Sequence, residues 1–181
     1  MRFLKQFFLT FWEIAEVVLI AGVTVFVIRT FLIQPFLVNG ASMEPNFFHS
    51  NYLLVDEITY RFREPARGEV IVFRSPQDRS TFFIKRIIGL PGDEITIENN
   101  EISVNGRQLQ EKYLSPNIKT AGSFDIKLGE DEYFVLGDNR YNSFDSRNWG
   151  LLRRDKIIGL VRLRLFPVTQ FEVFGAPAYN N

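Results

Sequence analysis

Two patterns of hydrophobic and polar positions divide the chain: an apolar N-terminal segment, and a much longer region of short apolar runs separated by turns. The N-terminal segment has an uninterrupted apolar core from Val17 to Ile28, which is shorter than the roughly 20 residues of a membrane-spanning helix. Extension to residues 7–33 reaches that length and takes in charged residues, which can lie near the helix ends with their charges in water. We interpret residues 1–33 as a helix that spans a membrane once.

The ends of this segment predict its orientation. Arg2 and Lys5 precede the apolar core, and positive residues favour the cytoplasmic side of a membrane. A secretory signal peptide begins in the same way, but this segment lacks a small-residue cleavage site and continues into Arg29. We therefore expect an uncleaved anchor with its N-terminus in the cytoplasm and residues 34–181 on the opposite side.

Residues after Gln34-Pro35, which ends the helix, carry the branched and aromatic side chains of strands, so the fold class predicted for residues 34–181 is mainly β. Hairpin dipeptides at Asn99-Asn100 and Asn105-Gly106 predict a small meander. The more polar stretch 108–130 fits either a second lobe or a long loop, and the lobe interpretation covers about 94–131. The predicted strands are Tyr52–Thr59, Val70–Phe73, Phe82–Leu90, Glu94–Ile97, Glu132–Leu136, Ile157–Phe166 and Phe171–Phe174.

Composition excludes several function classes. The 181 residues include 21 basic and 21 acidic side chains, and this balance, with no basic tract, argues against nucleic-acid binding. The absence of cysteine excludes disulfides and thiol chemistry, and a single histidine, His49, cannot supply a structural zinc site. We predict no metal, no cofactor and no nucleic-acid partner, and we interpret His49 as an ordinary loop residue.

Two adjacent cations interrupt the apolar run T-F-F-I-K-R-I-I-G-L-P-G-D from Thr81 to Asp93. In a strand, Lys85 shares one face with Phe83 and Ile87, and Arg86 points to the other face, so one cation should lie among hydrocarbon. Lysine loses its proton readily when it is desolvated, whereas arginine does not, so Lys85 is the candidate for chemistry. The alternative is a solvated lysine that protects a strand edge from aggregation.

A serine in a turn provides a nucleophile for such a lysine. Ser42 lies between Gly40 and Pro45, and the sequence offers no histidine suited to act as its base. A desolvated lysine can take that role, which makes Ser42 and Lys85 a candidate catalytic dyad.

A third polar stretch, G-D-N-R-Y-N-S-F-D-S-R-N-W-G from Gly137 to Gly150, fits either a plain surface loop or a supporting shell for the dyad. In the second interpretation, Ser143 forms a hydrogen bond that orients the Lys85 amine, and Asp145 pairs with Arg147 to hold the loop.

Motifs in the order S-M-E-P, L-L-V-D-E, K-R-I-I-G-L-P-G-D and G-D-N-R-x-x-S-x-D-S-R, behind an apolar N-terminus, resemble the bacterial type I signal peptidases, the membrane-anchored leader peptidases. The resemblance covers nearly the whole chain. It implies a β-rich catalytic domain on the outer face of a bacterial membrane, with Ser42 as nucleophile, Lys85 as general base and Ser143, Asp145 and Arg147 in support. Asn46 stands where this family usually has threonine, a position not expected to touch the proton transfer.

The same resemblance implies the substrate: preproteins that bear signal peptides, cleaved after A-x-A-like small residues. Some relatives use a serine side chain as oxyanion donor at the position of Gly40, so here the backbone N–H groups of Ser42 and Gly40 are the expected donors. Shallow apolar pockets near Phe36, Met43 and Ile84 are expected to select small side chains.

Two other functions fit parts of the pattern. Self-cleaving repressor domains share the Ser-Lys chemistry, but they carry a DNA-binding module where this chain has an apolar segment. A membrane-tethered binding domain without catalysis is the second alternative, and the presence of Ser42, Lys85 and Ser143 argues against it.

Overall fold

The computed structural model describes residues 2–27, 33–78 and 80–175. Helix α1 covers Arg2–Val27, and its side chains from Thr10 to Phe26 are exposed. Within the ranges just given, no helix is both long and apolar enough to cross a membrane. The rest of the predicted anchor, residues 28–32, lies outside the described ranges, and Ile33 already belongs to the first strand.

The prediction of a mainly β fold is confirmed. Short helices interrupt the strands: α2 (Thr59–Phe62), α3 (Ser146–Trp149) and 3₁₀ turns at Arg154–Lys156 and Val168–Gln170. The strands are β1 (Ile33–Leu37), β2 (Tyr52–Asp56), β3 (Val70–Arg74), β4 (Phe82–Gly89), β5 (Glu94–Glu98), β6 (Glu101–Val104), β7 (Arg107–Gln108), β8 (Phe124–Lys127), β9 (Glu132–Leu136), β10 (Leu152–Arg153), β11 (Ile157–Phe166) and β12 (Glu172–Val173).

The large sheet has the order β1-β2-β11-β3-β4-β9-β10, with β12 paired to β11. All of its pairings are antiparallel. Strand β4 lies inside this sheet, where Lys85 pairs with Ile71 and Arg86 with Val70 of β3. On the other side, β9 pairs with β4 only from Arg86 onward, which leaves the first half of β4 open on that edge.

A second sheet of order β7-β6-β5-β8 forms between Glu94 and Lys127. Its inward side chains, including Ile95 and Ile97, pack against Phe134 and Leu136 of β9. Because one apolar cluster joins the two sheets, the small sheet is braced on the strand that leads into the loop from Gly137 to Gly150.

Two predicted strands were too long, and the first strand was missed. The strand predicted for Tyr52–Thr59 ends at Asp56, because the Asp56 carboxylate accepts the N–H groups of Ile58 and Thr59 at 2.9 Å and starts α2. The last predicted strand is reduced to Glu172–Val173. Strand β1 was missed because Pro35 ends a helix in sequence but sits here in the strand at the edge of the sheet.

Candidate active site

Ser42 lies in a turn that follows β1 and is held from the side by Asn139. The backbone N–H of Asn139 donates to Ser42 O at 3.0 Å, and the Asn139 side-chain amide donates to Ala41 O at 3.0 Å. Behind Ser42 the next residue, Met43, is fully buried, so the turn is fixed both by its core side chain and by these two hydrogen bonds.

Lys85 extends from β4 to this serine. The amine Nζ lies 2.7 Å from Ser42 Oγ and donates to Ile84 O at 2.9 Å. Only 3% of the residue is exposed, and Nζ lies 5.5 Å from the centre of the Phe83 ring. Among the described residues no carboxylate lies within ion-pair distance of this amine.

Burial changes the acidity of the amine. Removal from water lowers the pKa of Lys85 from 10.5 to about 8, while the more distant charges of Asp145 and Asp138 oppose that shift. At pH 7 about a tenth of the molecules then carry a neutral amine, a far larger share than for a solvated lysine. A neutral amine in contact with a hydroxyl can accept its proton.

Arg86, the next residue, is buried in a different way. Its guanidinium donates to both oxygens of Asp138, at 2.8 and 2.6 Å, and to Gly68 O at 2.8 Å. It also lies 4.0 Å from the ring centre of Tyr113. The expectation that one of the two cations would lie among hydrocarbon therefore understates the burial: both are buried, and Arg86 carries a bidentate carboxylate partner.

The loop from Gly137 to Gly150 carries the predicted supporting residues. Asp145 is fully buried, and both of its oxygens accept from the Arg147 guanidinium at 2.9 Å. Asp145 also caps α3 and accepts the Gly137 N–H at 3.0 Å. Through these contacts the carboxylate joins both ends of the loop.

Ser143 lies next to the nucleophile but makes no hydrogen bond. Its Oγ is buried and has no partner among the described residues, so the predicted hydrogen bond to Lys85 is absent here. Gly137 explains the close approach, because a Cβ at that position would overlap Ser143 Oγ and the carbonyl oxygen of Ser42. Only glycine leaves room for the two segments to touch.

A cleft of about 440 Å³ opens beside Ser42 and Lys85. Phe36 and Ile84 line it as predicted, whereas Met43 does not, because its side chain points into the core with Phe47. The walls are mainly apolar, and Phe36 meets Phe82 edge to face at 5.5 Å. The lining residues also include Val38, Leu53, Val72, Phe83, Asn142 and Phe144.

The predicted backbone donors lie at one end of the cleft. Gly40 has a φ of +106°, which suits glycine, and its N–H donates to His49 Nδ1 at 3.4 Å. This contact is long and exposed, so the Gly40 N–H must leave His49 before it can serve an oxyanion. His49 is thus a loop residue whose Nδ1 accepts a hydrogen bond from the site.

The sequence did not predict a set of residues that connect the turn carrying Ser42, here called the nucleophile turn, to the rest of the site. For Asp138, Asn139 and Arg140 the signal was the G-D-N-R run, whose individual residues were given no role. The Arg140 side chain joins Gly137 O to Glu111 of the small-sheet region, with Nε at 3.0 Å and Nη1 at 2.8 Å. The set comprises Asn46, Glu111, Asp138, Asn139 and Arg140.

Residues suited to a metal do not gather in this region. Across the part of the chain that the structure describes, no group of three or more His, Cys, Asp or Glu side chains is arranged to hold an ion.

A family model and curated relatives match most of this chain. The family model described as "Signal peptidase, peptidase S26" matches residues 11–166. The chain is 40% identical over 163 residues to signal peptidase I P of Bacillus subtilis subsp. natto, covering 84% of this chain and 88% of the relative. It is 39% identical over 166 residues to probable signal peptidase I-2 of Synechocystis sp., covering 88% and 75%. A crystal structure of a signal peptidase I from Enterococcus faecalis V583 matches with 32% identity and a TM-score of 0.48, over 54% of this chain and 97% of that one.

Proposed function

This chain belongs to the signal peptidase family, peptidase S26, and is a hydrolase of the kind that removes signal peptides as a serine protease; on that premise we propose that Ser42 and Lys85 perform the cleavage. The observation that supports this most strongly is the 2.7 Å contact between Ser42 Oγ and an amine that is 3% exposed. A nucleophile and its base within hydrogen-bond reach form the arrangement that such a reaction needs.

In the proposed acylation step, Ser42 Oγ attacks the carbonyl carbon that precedes the scissile bond while Lys85 Nζ accepts the hydroxyl proton. The resulting ammonium gives that proton to the departing amine, the C–N bond breaks, and Ser42 holds the new N-terminal fragment as an ester. The low pKa of Lys85, about 8, supports both transfers, because the group can lose and regain its proton near neutral pH.

In the proposed deacylation step, the neutral Lys85 takes a proton from water, and the water oxygen attacks the ester carbonyl. The resulting ammonium then gives that proton to Ser42 Oγ as the C–O bond breaks, which restores the hydroxyl and the neutral amine. Both steps create a tetrahedral oxyanion. We assign its stabilisation to the backbone N–H of Ser42, joined by Gly40 once the 3.4 Å contact to His49 opens. In this assignment no side chain replaces the backbone donors.

The cleft supports a substrate with small side chains at the cleavage site. Phe36, Ile84 and Phe144 line it together with Ser42, and we infer that these bulky side chains favour alanine-like residues over large ones. We propose preproteins with A-x-A-like sites as the substrates. Asp145 and Arg147 would then keep Ser143 beside the dyad, where the Ser143 hydroxyl can turn toward the amine.

We further propose that residues 1–33 anchor the chain in a bacterial cell membrane as a single pass, with residues 34–181 as the extracytoplasmic catalytic domain and about 94–131 as its smaller lobe. Support for the anchor comes from the exposed apolar side chains of α1, such as Trp12 and Leu19, which have no protein partner among the described residues. Carbonate extraction of cells and protease accessibility of intact spheroplasts test the anchor and its orientation. Release of the full chain by carbonate would contradict the anchor.

Replacement of the nucleophile tests the cleavage proposal. Ser42→Ala should lower cleavage of a preprotein by about a thousandfold or more in detergent, because the acyl-enzyme cannot form. Ser123→Ala, at an exposed serine in the small-sheet region, is the matched control and should cleave normally. Unchanged cleavage by Ser42→Ala would defeat the proposed mechanism.

A further inference from the structure

Asn46 connects the nucleophile turn to three other segments of the chain through hydrogen bonds. Its side-chain amide donates to Asp138 Oδ2 at 2.8 Å and to Tyr113 O at 3.0 Å, so both amide hydrogens are used. Its backbone oxygen accepts from Arg164 Nη1 at 2.7 Å. Three elements therefore fix this one residue: the loop after β9, the small-sheet region and β11.

The path between Asn46 and Ser42 is short and stiff. Phe47 N–H donates to Met43 O at 2.9 Å, and Met43 and Phe47 are both fully buried in one apolar cluster. A displacement of Asn46 is therefore passed to Ser42, because the turn between them has little freedom to absorb it.

The contacts of Asn46 close a ring around the reacting pair. Lys85 is followed by Arg86, the Arg86 guanidinium binds Asp138, and the Asp138 carboxylate binds the Asn46 amide. From Asn46 the stiff turn returns to Ser42, whose Oγ lies 2.7 Å from Lys85 Nζ. In this ring, the amide-to-carboxylate contact links the strand that carries the amine to the turn that carries the hydroxyl, in addition to the hydrogen bonds that Asn139 donates to Ser42 O and Ala41 O.

We propose that Asn46 is a positioning residue that sets the separation between Ser42 Oγ and Lys85 Nζ by joining the nucleophile turn to Asp138. This role rests on the proposed function of the Ser42–Lys85 pair. It gives Asn46 a part in the reaction although the side chain does not touch the substrate, and it explains why an uncharged amide stands against the buried carboxylate of Asp138.

Asn46→Ala removes both donors and should separate positioning from substrate binding. A misplacement of about 1 Å can reduce a rate about a hundredfold, so kcat should fall roughly 10- to 100-fold while KM stays within about threefold. Rates are expressed per folded enzyme, with the folded fraction measured by circular dichroism. Asn117→Ala, at an exposed asparagine in the small-sheet region, is the matched control and should keep wild-type kcat.

Two further variants give readouts that a loss of folding would not change: Asn46→Asp tests the charge at this position, and Asn46→Thr tests whether one donor restores the positioning. The charged groups around this position are Asp138 on the loop after β9, Arg86 on β4 and Arg164 on β11. A second carboxylate beside Asp138 adds negative charge near Lys85, so the acid side of the pH–rate profile should move up by about half a unit or more. Asn46→Thr, which keeps one donor, should lose less kcat than Asn46→Ala.

The outcomes distinguish this inference from the proposed function. If Ser42→Ala is inactive and Asn46→Ala keeps kcat within about twofold of wild type, the positioning role is wrong and the mechanism survives. If Ser42→Ala retains cleavage, the mechanism itself is wrong. Should Asn46→Ala fail to fold, Asn46→Leu decides, because leucine keeps the size of the side chain and has no donor: an unchanged kcat per folded enzyme in Asn46→Leu would overturn the role.

Discussion

Lys85 and Arg86 are neighbours in β4, and the protein treats their charges in opposite ways. Arg86 is buried against a carboxylate that meets it with two hydrogen bonds, at 2.8 and 2.6 Å. Lys85 is also buried, but its amine forms hydrogen bonds, among the described residues, only with a hydroxyl and a backbone carbonyl. The first environment stabilises a permanent charge, whereas the second makes a charge costly and a neutral amine accessible.

This contrast shows how much folding stability the reactive amine of Lys85 costs. A pKa lowered from 10.5 to about 8 corresponds to a penalty of about 3 kcal/mol on the charged form of Lys85 in the folded state. The penalty applies in full below pH 8, and it disappears as the pH rises toward 10.5, where the unfolded lysine also loses its proton. A buried pair such as Arg86 with Asp138 carries no comparable change over this pH range, because arginine keeps its proton.

Lys85→Met should sharpen the contrast most, because it removes both the base of the reaction and the cost of burying a charged amine. We expect a loss of cleavage of about a thousandfold or more, since no base remains within reach of Ser42. The free energy of unfolding at pH 7 should nevertheless rise by about 1 to 3 kcal/mol, because an ammonium no longer has to be buried. Urea unfolding at pH 7 and pH 10 measures this, with a smaller gain at pH 10. A variant less stable than wild type at pH 7 would break the contrast.

Asp138→Asn tests the other half of the contrast, the charge of Arg86 and its carboxylate partner. It leaves the Arg86 guanidinium buried without a carboxylate, and the free energy of unfolding should fall by about 3 kcal/mol. Asp125→Asn, an exposed position in β8, is the matched control and should change stability by less than about 0.5 kcal/mol. A loss no larger than that of the control would mean that Arg86 does not depend on its carboxylate.

The pH dependence gives the smallest and most specific effect. For wild type, kcat/KM should fall about tenfold per unit as the pH drops below about 8, since Lys85 becomes protonated. Asp145 opposes the lowering of that pKa, so Asp145→Asn should move the midpoint toward acid by about half a unit. Asparagine can still accept at the start of α3 but has one oxygen where Asp145 uses two, so the rates are expressed per folded enzyme. An unmoved or alkaline midpoint would contradict the electrostatic account of Lys85.

The sequence predicted the sheet well where branched residues alternate, as in Val70–Phe73 and Ile157–Phe166. Short strands such as β8 and β10 were missed because their pairing depends on partners far along the chain. Helix α3 was missed because it is a single turn, formed around the Asp145 cap.

For the site, alternation placed Lys85 and Arg86 on opposite faces, and the acidity of lysine made Lys85 the candidate, but neither argument could supply the partner of Arg86, which lies 52 residues away. Met43 was assigned to the cleft because it follows Ser42, yet the turn sends its side chain into the core. The catalytic roles of Ser42, Lys85, Ser143, Asp145 and Arg147 stay predictions until the variants are measured. A pattern identifies reactive residue types; only folding decides which of them meet.

Gly137 shows how an unreactive position can be as demanding as a catalytic one. Any side chain there would collide with the carbonyl of Ser42 and with Ser143. Chemical labelling of reactive side chains would not detect this residue, because glycine has no side chain, and an inhibitor could not bind to it through one. Substitutions during natural or laboratory evolution of this enzyme can therefore change the walls of the cleft, whereas residue 137 has to remain glycine.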